Sequence, residues 1–383
     1  MKFSHPCARR AAIVLLSWAC LNLANAATLH TWVLSSQPLS EEQLSTLSAS
    51  SRLLIMVPGV SSGDLSKQCA FLEQIRALSG HDLAIFFDRQ PGTLSRRMVS
   101  PAATGPAAQN LVTLCRTFLG SAAEGKTIDL LAHSSGTVVV NKAAEIIVAD
   151  GSSVRFRNIL LLGTALSSRE PLDALITVST RILNLHSMYD KVNRSINDSL
   201  GVLPALEGGA GRNIRMDRSL SGRLVRHPVF IASNPESWIA YAAWLGEGRW
   251  PGPRPPVDEC PRDLAELHGL ALWVQRQPDT TPREVHKLIP GLLTDPDPAM
   301  KYYGVVLAGL LDEDAHAAAL KLLLEDEDTP VYVRKEIYQA LGNLRDGRHV
   351  DYLRHARERD PECGEEIRDV LRELKRQRVD PVR

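Results

Sequence analysis

The stretch Thr127-Ile-Asp-Leu-Leu-Ala-His-Ser-Ser-Gly136-Thr-Val-Val-Val140 decides the fold. A mostly apolar run that ends at Ala132 predicts a short buried strand, and the apolar spacing after Ser134 predicts a helix. The turn that joins them must hold Ser134 on strained backbone, pressed between the strand and the helix. Only small side chains fit two positions before and after such a serine, and Ala132 and Gly136 are small. The stretch therefore predicts a strand, a sharp turn and a helix.

The five residues from Ala132 to Gly136 match the pattern G-x-S-x-G, with alanine in place of the first glycine. Between a strand and a helix, this pattern is typical of a nucleophile elbow, in which the serine hydroxyl attacks a substrate. The following helix directs its amide N–H groups and the positive end of its dipole at the serine, which favours an anion there. Ser134 is therefore the candidate nucleophile. The alternative is an ordinary strand-to-helix turn with serine as the helix cap.

A second apolar strand, Arg52–Val57, stops abruptly at Pro58 and Gly59 and is followed by a helical pattern. A loop at this place can supply backbone N–H donors to the oxygen of a reacting carbonyl. We expect Val60 and Ser135 to supply these oxyanion-hole donors. The alternative for this loop is a plain tight turn.

Apolar strands alternate with amphipathic helices before residue 250. This alternation predicts an α/β fold, in which a mostly parallel sheet is covered by helices on both faces. An amphipathic helix at residues 235–245 closes the region. The predicted strands lie at residues 29–34, 52–57, 82–87, 127–132, 156–166, 181–186 and 213–216.

An acid and a base for the serine are predicted from their places in the chain. Asp190 comes shortly after the sixth predicted strand, where a carboxylate can orient a histidine. His227 is the one histidine between Asp190 and the closing helix, and from its loop it can reach Ser134. Plain roles as a turn aspartate and a surface histidine stay open for these two residues. The alternative acids are Asp217 and Glu170.

Residues from about 52 to 246 resemble the α/β-hydrolase superfamily in the order of the elbow, the acid and the base. The resemblance implies serine hydrolysis of ester, thioester, amide or lipid bonds through an acyl-enzyme, without a cofactor. Two positions depart from the family pattern, because Ala132 replaces a glycine and Pro58 replaces the usual histidine of the oxyanion loop. Little chain lies between the strands near residues 166 and 181, so any cap over the cleft is small.

The C-terminal part of the chain has an all-helical pattern with an internal repeat. Residues 295–311 are echoed by residues 326–344, which places Gly309 and Gly342 33 residues apart, and a third partial copy follows. The acidic turn, the proline and the Gly-x-Leu ending are similar to HEAT-like repeats over about residues 262–378. Such helix pairs bury their apolar faces only against each other, so the resemblance implies a stacked docking surface. A generic helical bundle is the alternative.

The start of the chain predicts an export signal. A positively charged beginning, a short apolar run and the small residues Ala24 and Ala26 predict a signal peptide over residues 1–26. An N-terminal membrane anchor is the alternative. We therefore expect a periplasmic or extracellular protein with a hydrolase-like domain at residues 27–249, a proline-rich linker at 250–261 and helical repeats at 262–378.

Charge and cysteine content narrow the function classes. The 44 basic and 44 acidic residues cancel, which gives no electrostatic basis for nucleic-acid binding. The cysteines lack the spacing of a zinc site, so we expect no metal. The resemblance to the α/β-hydrolase superfamily implies that no cofactor is needed. Cys69 and Cys115 lie on two predicted helices, where either a disulfide or two buried thiols would fit. No run after residue 26 is long and apolar enough to suggest a membrane span.

Together these features predict an exported serine hydrolase that acts on a small-molecule or acyl substrate and docks a protein partner through its repeats. The competing hypothesis is a catalytically inactive hydrolase-like scaffold whose repeats bind protein. A secreted lipase would need an apolar lid, and the sequence shows no segment for one.

Overall fold

The computed structural model describes most of the chain, and the predicted signal peptide at residues 1–26 lies outside the described part. Side chains are described except at residues 101–103 and 377–379. The described residues are 31–34, 39–59, 65–87, 101–120, 123–190, 202–207, 211–216, 218–220, 225, 230–231, 234–255, 261, 263–278, 281, 283–311, 314–344 and 349–379.

Within the described residues, seven parallel strands form one sheet, which confirms the predicted α/β architecture. The strands are β1 Thr31–Leu34, β2 Arg52–Val57, β3 Leu83–Phe87, β4 Thr127–His133, β5 Phe156–Leu162, β6 Ser179–His186 and β7 Gly211–Arg215. Their order across the sheet is β1–β3–β2–β4–β5–β6–β7. β5 is shorter than predicted, because the chain turns at Gly163, which has a φ of 49°.

Helices cover both faces of the sheet. They are α1 Glu41–Ala49, α2 Leu65–Ser79, α3 Pro101–Leu119, α4 Gly136–Ala149, α5 Asp173–Thr177 and α6 Pro235–Glu247. Side chains of α1, α3, α4 and α5 share one core with alternate residues of β2, such as Leu53 and Ile55. Side chains of α2 and α6 share the other core with Leu54 and Met56. The strands read as near-continuous apolar runs because both of their faces are buried.

The closing helix α6 begins and ends where its sequence dictates. The Asn234 side chain accepts a hydrogen bond from the Ser237 N–H at 3.0 Å, and Pro235 occupies the first turn. Gly248 ends the helix with a left-handed φ of 68°. The predicted helix at residues 235–245 is therefore confirmed and runs to Glu247.

The direction of strand addition reverses between β2 and β4. From β2 the chain goes to β3 on one side, then crosses to β4 on the other side and continues outward to β7. The crevice outside the carboxyl ends of the strands at such a switch point is where open α/β sheets bind ligands. Val57 of β2 pairs with Ala132 of β4, so Gly59 and Ser134 follow at this same edge.

The C-terminal helices stack in two layers. They are α7 Leu264–Arg276, α8 Arg283–Leu293, α9 Pro298–Leu310, α10 Ala317–Glu325, α11 Val331–Asn343, α12 Val350–Arg359 and α13 Gly364–Val379. One layer holds α7, α9, α11 and α13, each in contact with the next, and the other layer holds α8, α10 and α12. This arrangement buries one continuous core, as stacked repeats require.

The two glycines of the sequence repeat occupy equivalent contacts in this stack. A Cβ on Gly309 of α9 would lie 2.9 Å from the Ala340 Cβ of α11. A Cβ on Gly342 of α11 would lie 2.2 Å from Val370 Cγ1 of α13. Each glycine therefore lets one helix of the layer approach the next, which explains why they recur.

The C-terminal helices pack on the sheet region through the first turn of α6. The Leu220 N–H donates to Glu236 Oε1 at 3.0 Å, and the Tyr302 hydroxyl makes a longer contact of 3.5 Å with Glu236 Oε2. The Trp238 ring lies edge-on to Tyr332, with the ring centroids 5.9 Å apart. Leu220 is buried in the core of the C-terminal helices. The two regions thus share packed surface in addition to the chain that joins them.

Candidate functional site

Ser134 directly follows β4 and has a φ of 53°. Among the described residues it is the only one other than glycine with a positive φ. Such a conformation costs about 1–3 kcal/mol and persists only where the surrounding structure enforces it. With β4 ending at His133 and α4 starting at Gly136, the sharp turn predicted from the sequence is present.

Small residues let the backbone close around this turn. A Cβ on Gly136 would lie 2.1 Å from the Val57 carbonyl oxygen, and a Cβ on Gly59 would lie 2.7 Å from Ser134 Cβ. Ala132 is fully buried in the sheet. The predicted need for a small residue is confirmed at Gly136, and Gly59 brings the loop after β2 into contact with the serine.

Hydrogen bonds hold both peptide groups that flank Ser134. The Ser134 N–H donates to the Leu162 carbonyl at the end of β5, with an N···O distance of 3.0 Å. The Ser134 carbonyl accepts from the Thr137 N–H at 3.0 Å and from the Thr137 hydroxyl at 2.6 Å. That hydroxyl accepts in turn from the Thr164 hydroxyl and the Ala165 N–H. The strained backbone is therefore enforced from α4 and from the loop after β5.

Asp190 lies beyond the carboxyl end of β6, at the same edge of the sheet and two strands away from β4. Its side chain is fully buried, and its N–H donates to the Ser187 carbonyl at 3.2 Å, which fixes it in a tight turn. A buried carboxylate must be compensated by polar partners, and orienting an imidazole is one such role. Glu170, the described alternative, lies beyond β5 and is partly exposed.

The structure describes only some of the other residues that were predicted for the site. The predicted base His227, the predicted donor Val60 and the reserve acid Asp217 lie outside the described residues. Ser135 is buried at the N-terminus of α4, where amide N–H groups have no acceptor within the helix. The structure thus brings to one edge of the sheet Ser134, Ser135 and Asp190.

A histidine inside the elbow also lies near the candidate nucleophile. His133 is buried, and its Nδ1 lies 3.3 Å from the position that a Cβ on Gly59 would take. Ser134 Oγ lies 3.2 Å from the same position. His133 and Ser134 therefore both border Gly59, and His133 is the imidazole with which any role of His227 must be compared.

A buried polar network at the opposite, amino end of the sheet was not predicted from the sequence. Ser79 Oγ lies 2.6 Å from His81 Nδ1, His81 Nε2 lies 2.8 Å from Asp129 Oδ2, and Arg157 pairs with the same carboxylate. The side chains of His81 and Asp129 are fully buried. Burial lowers the pKa of His81, although the Asp129 carboxylate opposes this shift. The available signal was Asp129 itself, an aspartate inside an otherwise apolar strand.

The described part of the chain shows neither a cluster of metal ligands nor a helix that could span a membrane. No group of three or more histidine, cysteine or acidic side chains there is arranged to hold a metal ion. None of the helices described combines the length and apolarity needed to cross a membrane. Cys69 and Cys115 are free thiols that pack into opposite faces of the sheet, so the disulfide that the sequence left open does not join them.

A cavity of about 590 Å³ opens among the C-terminal helices, away from Ser134. Its wall includes Arg334, which pairs with Asp360 at 3.0 Å and with Glu362 at 2.7 Å, and the rings of Tyr338 and Tyr352. The lining is therefore charged and aromatic, a character that suits a polar partner better than an apolar ligand.

Comparison with known protein families identifies the C-terminal helices. The family model of HEAT repeats matches residues 285–374, from α8 into α13, and this range includes both recurring glycines. A comparison with curated proteins found no match to the chain. Residues 285–374 therefore contain HEAT repeats, a class of stacked helices that presents extended protein-binding surfaces.

Proposed function

We propose that the sheet region is a serine hydrolase of the α/β-hydrolase type that cleaves an ester, thioester or amide bond. In this proposal Ser134 is the nucleophile, His227 is the general base and acid, and Asp190 orients His227. The N–H groups of Ser135 and Val60 stabilise the oxyanion. The HEAT repeats bind a protein partner or present a bulky substrate.

The positive φ of Ser134 at the switch point of the sheet carries the proposal. A serine that only capped α4 would have extended backbone and would bond its hydroxyl to an amide of the first turn. The structure shows neither feature at this turn: Ser134 is left-handed, and the N-cap residue Ser135 makes no side-chain capping bond. A strain that capping does not need is instead expected where a hydroxyl must stand on a tight turn facing a substrate crevice.

The proposed reaction has two halves. Ser134 Oγ forms a bond to the substrate carbonyl carbon while its proton passes to the His227 imidazole. The imidazolium then returns this proton to the leaving group as that bond breaks, which leaves an acyl-enzyme. A water molecule, deprotonated by the same imidazole, attacks the acyl carbon. The imidazolium then returns the proton to Ser134 Oγ as the bond between Oγ and the acyl carbon breaks, which releases the acid.

Covalent labelling tests the proposal directly. We expect a fluorophosphonate probe to modify the folded chain, and peptide mass spectrometry to locate the adduct on Ser134. The Ser134→Ala variant and heat-denatured protein are the controls, and neither should react. A folded wild-type chain that stays unlabelled and hydrolyses none of a panel of p-nitrophenyl esters of rising chain length would refute the hydrolase proposal.

The second candidate function is protein binding without catalysis, which the HEAT match to residues 285–374 favours. In that case the sheet region is a scaffold for the repeats. The labelling experiment separates the two functions, because a scaffold has no reason to activate Ser134. Export is a separate proposal, and N-terminal sequencing of the mature protein checks it: cleavage after Ala26 gives a chain that begins at Ala27.

A further inference from the structure

The Thr137 hydroxyl, in the first turn of α4, uses its full hydrogen-bonding capacity. It donates to the Ser134 carbonyl at 2.6 Å, and it accepts from the Thr164 hydroxyl at 3.0 Å and from the Ala165 N–H at 3.2 Å. A hydroxyl has one proton to donate and two lone pairs to accept, so all three are engaged. Thr137 is completely buried, and the Leu166 N–H supports Thr164 in turn. The chain after β5 is thus fastened to the carbonyl of the candidate nucleophile.

The hydrogen bond from the Thr137 hydroxyl to the Ser134 carbonyl also fixes the orientation of the neighbouring N–H group. The Ser134 carbonyl and the Ser135 N–H belong to one peptide group, which is planar and trans, so they point in opposite directions. Fixing the Ser134 carbonyl towards Thr137 and Ala165 therefore fixes the direction of the Ser135 N–H on the other side. The Ser135 N–H is the proposed oxyanion donor, whose value depends on being aimed before the reaction begins.

We propose that Thr137 is a positioning residue that aims the Ser135 N–H at the oxyanion by holding the Ser134 carbonyl. The inference rests on the hydrolase proposal and goes beyond it, because the contribution of Thr137 lies in the transition state. Loss of the hydroxyl should lower kcat and leave KM nearly unchanged, since the oxyanion is absent from the ground state.

The experiment compares Thr137→Val, which keeps the shape without the hydroxyl, with Thr137→Ser, which keeps the hydroxyl. We expect Thr137→Val to lower kcat for a p-nitrophenyl ester on the order of a hundredfold, as small misplacements of catalytic groups do. A boronic acid, which forms a tetrahedral adduct on serine, should bind more weakly by a similar factor. Thr137→Ser should restore both values. Thr329→Val is the matched control, because Thr329 is a buried threonine in the HEAT repeats.

Wild-type kcat and boronic acid affinity in a folded Thr137→Val variant would overturn the inference, whatever its stability. A loss confined to KM, or a failure of Thr137→Ser to restore kcat, would also overturn it. If Thr137→Val does not fold, Thr137→Ala removes the same hydroxyl without adding a methyl group in its place, and an unchanged kcat there is equally contrary. A wild-type chain that never reacts with the probe refutes the hydrolase proposal first, so the two failures are distinct.

Discussion

Serine and aspartate side chains lie at both ends of the sheet, and the two groups differ in their contacts and in their backbone conformation. At the amino end, Ser79, His81 and Asp129 are in direct hydrogen-bond contact. At the carboxyl end, Ser134 and Asp190 share an edge of the sheet, and the histidine is assigned from sequence alone. A search for a serine, a histidine and an aspartate in mutual contact would therefore select the amino-end group.

The amino-end group is closed to any substrate. The Ser79 hydroxyl lies 2.6 Å from the Ile75 carbonyl of its own helix, and the side chains of His81 and Asp129 have no exposed surface. Asp129 also pairs with Arg157, whose guanidinium donates to the Leu245 carbonyl at the end of α6 at 2.9 Å. This group therefore ties α2, the sheet and α6 together. Ser79 and Ser134 are buried alike, at 7% and 8% exposed, so backbone strain, more than residue identity or burial, distinguishes the candidate nucleophile from the structural serine.

The largest expected difference between the two ends is in catalysis. Ser134→Ala should lower kcat/KM for a p-nitrophenyl ester by about a thousandfold or more, because members of a catalytic triad act as a unit. Ser79→Ala should leave kcat/KM unchanged and lower the free energy of unfolding by about 1 kcal/mol, the net value of a hydrogen bond. Steady-state kinetics and urea denaturation of both variants measure this. A variant pair with the opposite pattern would exchange the roles of the two serines.

The aspartates should separate in the same way. Asp190→Asn keeps the shape of the side chain but cannot orient an imidazolium, so we expect a loss of kcat of up to about 10⁴ with little change in stability. Asp129→Asn leaves the partly exposed Arg157 without its carboxylate, and should lower the free energy of unfolding by about 2 kcal/mol, the value of a hydrogen bond to a charged group, while kcat is preserved. Urea denaturation and ester kinetics on both variants decide the matter. Normal kcat in Asp190→Asn would return the acid to Glu170 or Asp217.

The sequence predicts the fold and the elbow because both rest on local physics. Strands buried on two faces appear as continuous apolar runs in the sequence. The alternation of these strands with helices predicts a parallel sheet. The steric demand of the turn at Ser134 is visible as Ala132 and Gly136 in the same pentapeptide. The 33-residue recurrence of Gly309 and Gly342 likewise marks a contact that is repeated in space.

Contacts between distant parts of the chain escape such an analysis. His81 and Asp129 are 48 residues apart and meet only because β3 and β4 both flank β2. The hydrogen bond from Thr164 to Thr137 and the contact of Glu236 with Tyr302 depend in the same way on the order of the helices and strands in space. A single sequence gives the residue types for these contacts but not their pairing.

A buried histidine should make the stability of the chain depend on pH, and the expected change is of intermediate size. Burial lowers the pKa of His268, in the C-terminal helices, from 6.5 to about 4, and its Nδ1 lies 2.9 Å from the Tyr303 hydroxyl. Well above pH 6.5 the imidazole is neutral in both the folded and the unfolded chains, so its titration does not affect stability there. As the pH falls from about 6.5 to about 4, only the unfolded chain takes up the proton, and the free energy of unfolding falls by about 1.4 kcal/mol per pH unit, or about 3 kcal/mol in total.

His268→Gln isolates this effect from that of His81, whose lowered pKa acts in the same direction. We expect the stability difference between wild type and His268→Gln to shrink as the pH is lowered across this window, as followed by urea denaturation at several pH values. A difference that is constant with pH would mean that His268 titrates alike in the folded and unfolded chains.

The smallest expected effect concerns the link between the two regions, at the other end of α6 from the Arg157 contact. Glu236 is almost fully buried in the first turn of α6, where its carboxylate faces the helix N-terminus, the Leu220 N–H and the Tyr302 hydroxyl. Glu236→Gln keeps the acceptor but removes the charge, which interacts favourably with the helix dipole and strengthens the bond to Leu220. We expect the free energy of unfolding to fall by about 1 kcal/mol. Glu247→Gln, at the exposed C-terminal end of the same helix, is the matched control and should leave stability unchanged.

Because the Glu236 carboxylate joins α6 of the sheet region to Tyr302 of the C-terminal helices, the two regions should unfold together. Far-ultraviolet circular dichroism and tryptophan fluorescence should therefore report one shared transition in both variants. Separate transitions in the wild-type chain would show that the sheet region and the HEAT repeats unfold independently, and Glu236 would then be a local contact with no part in joining them.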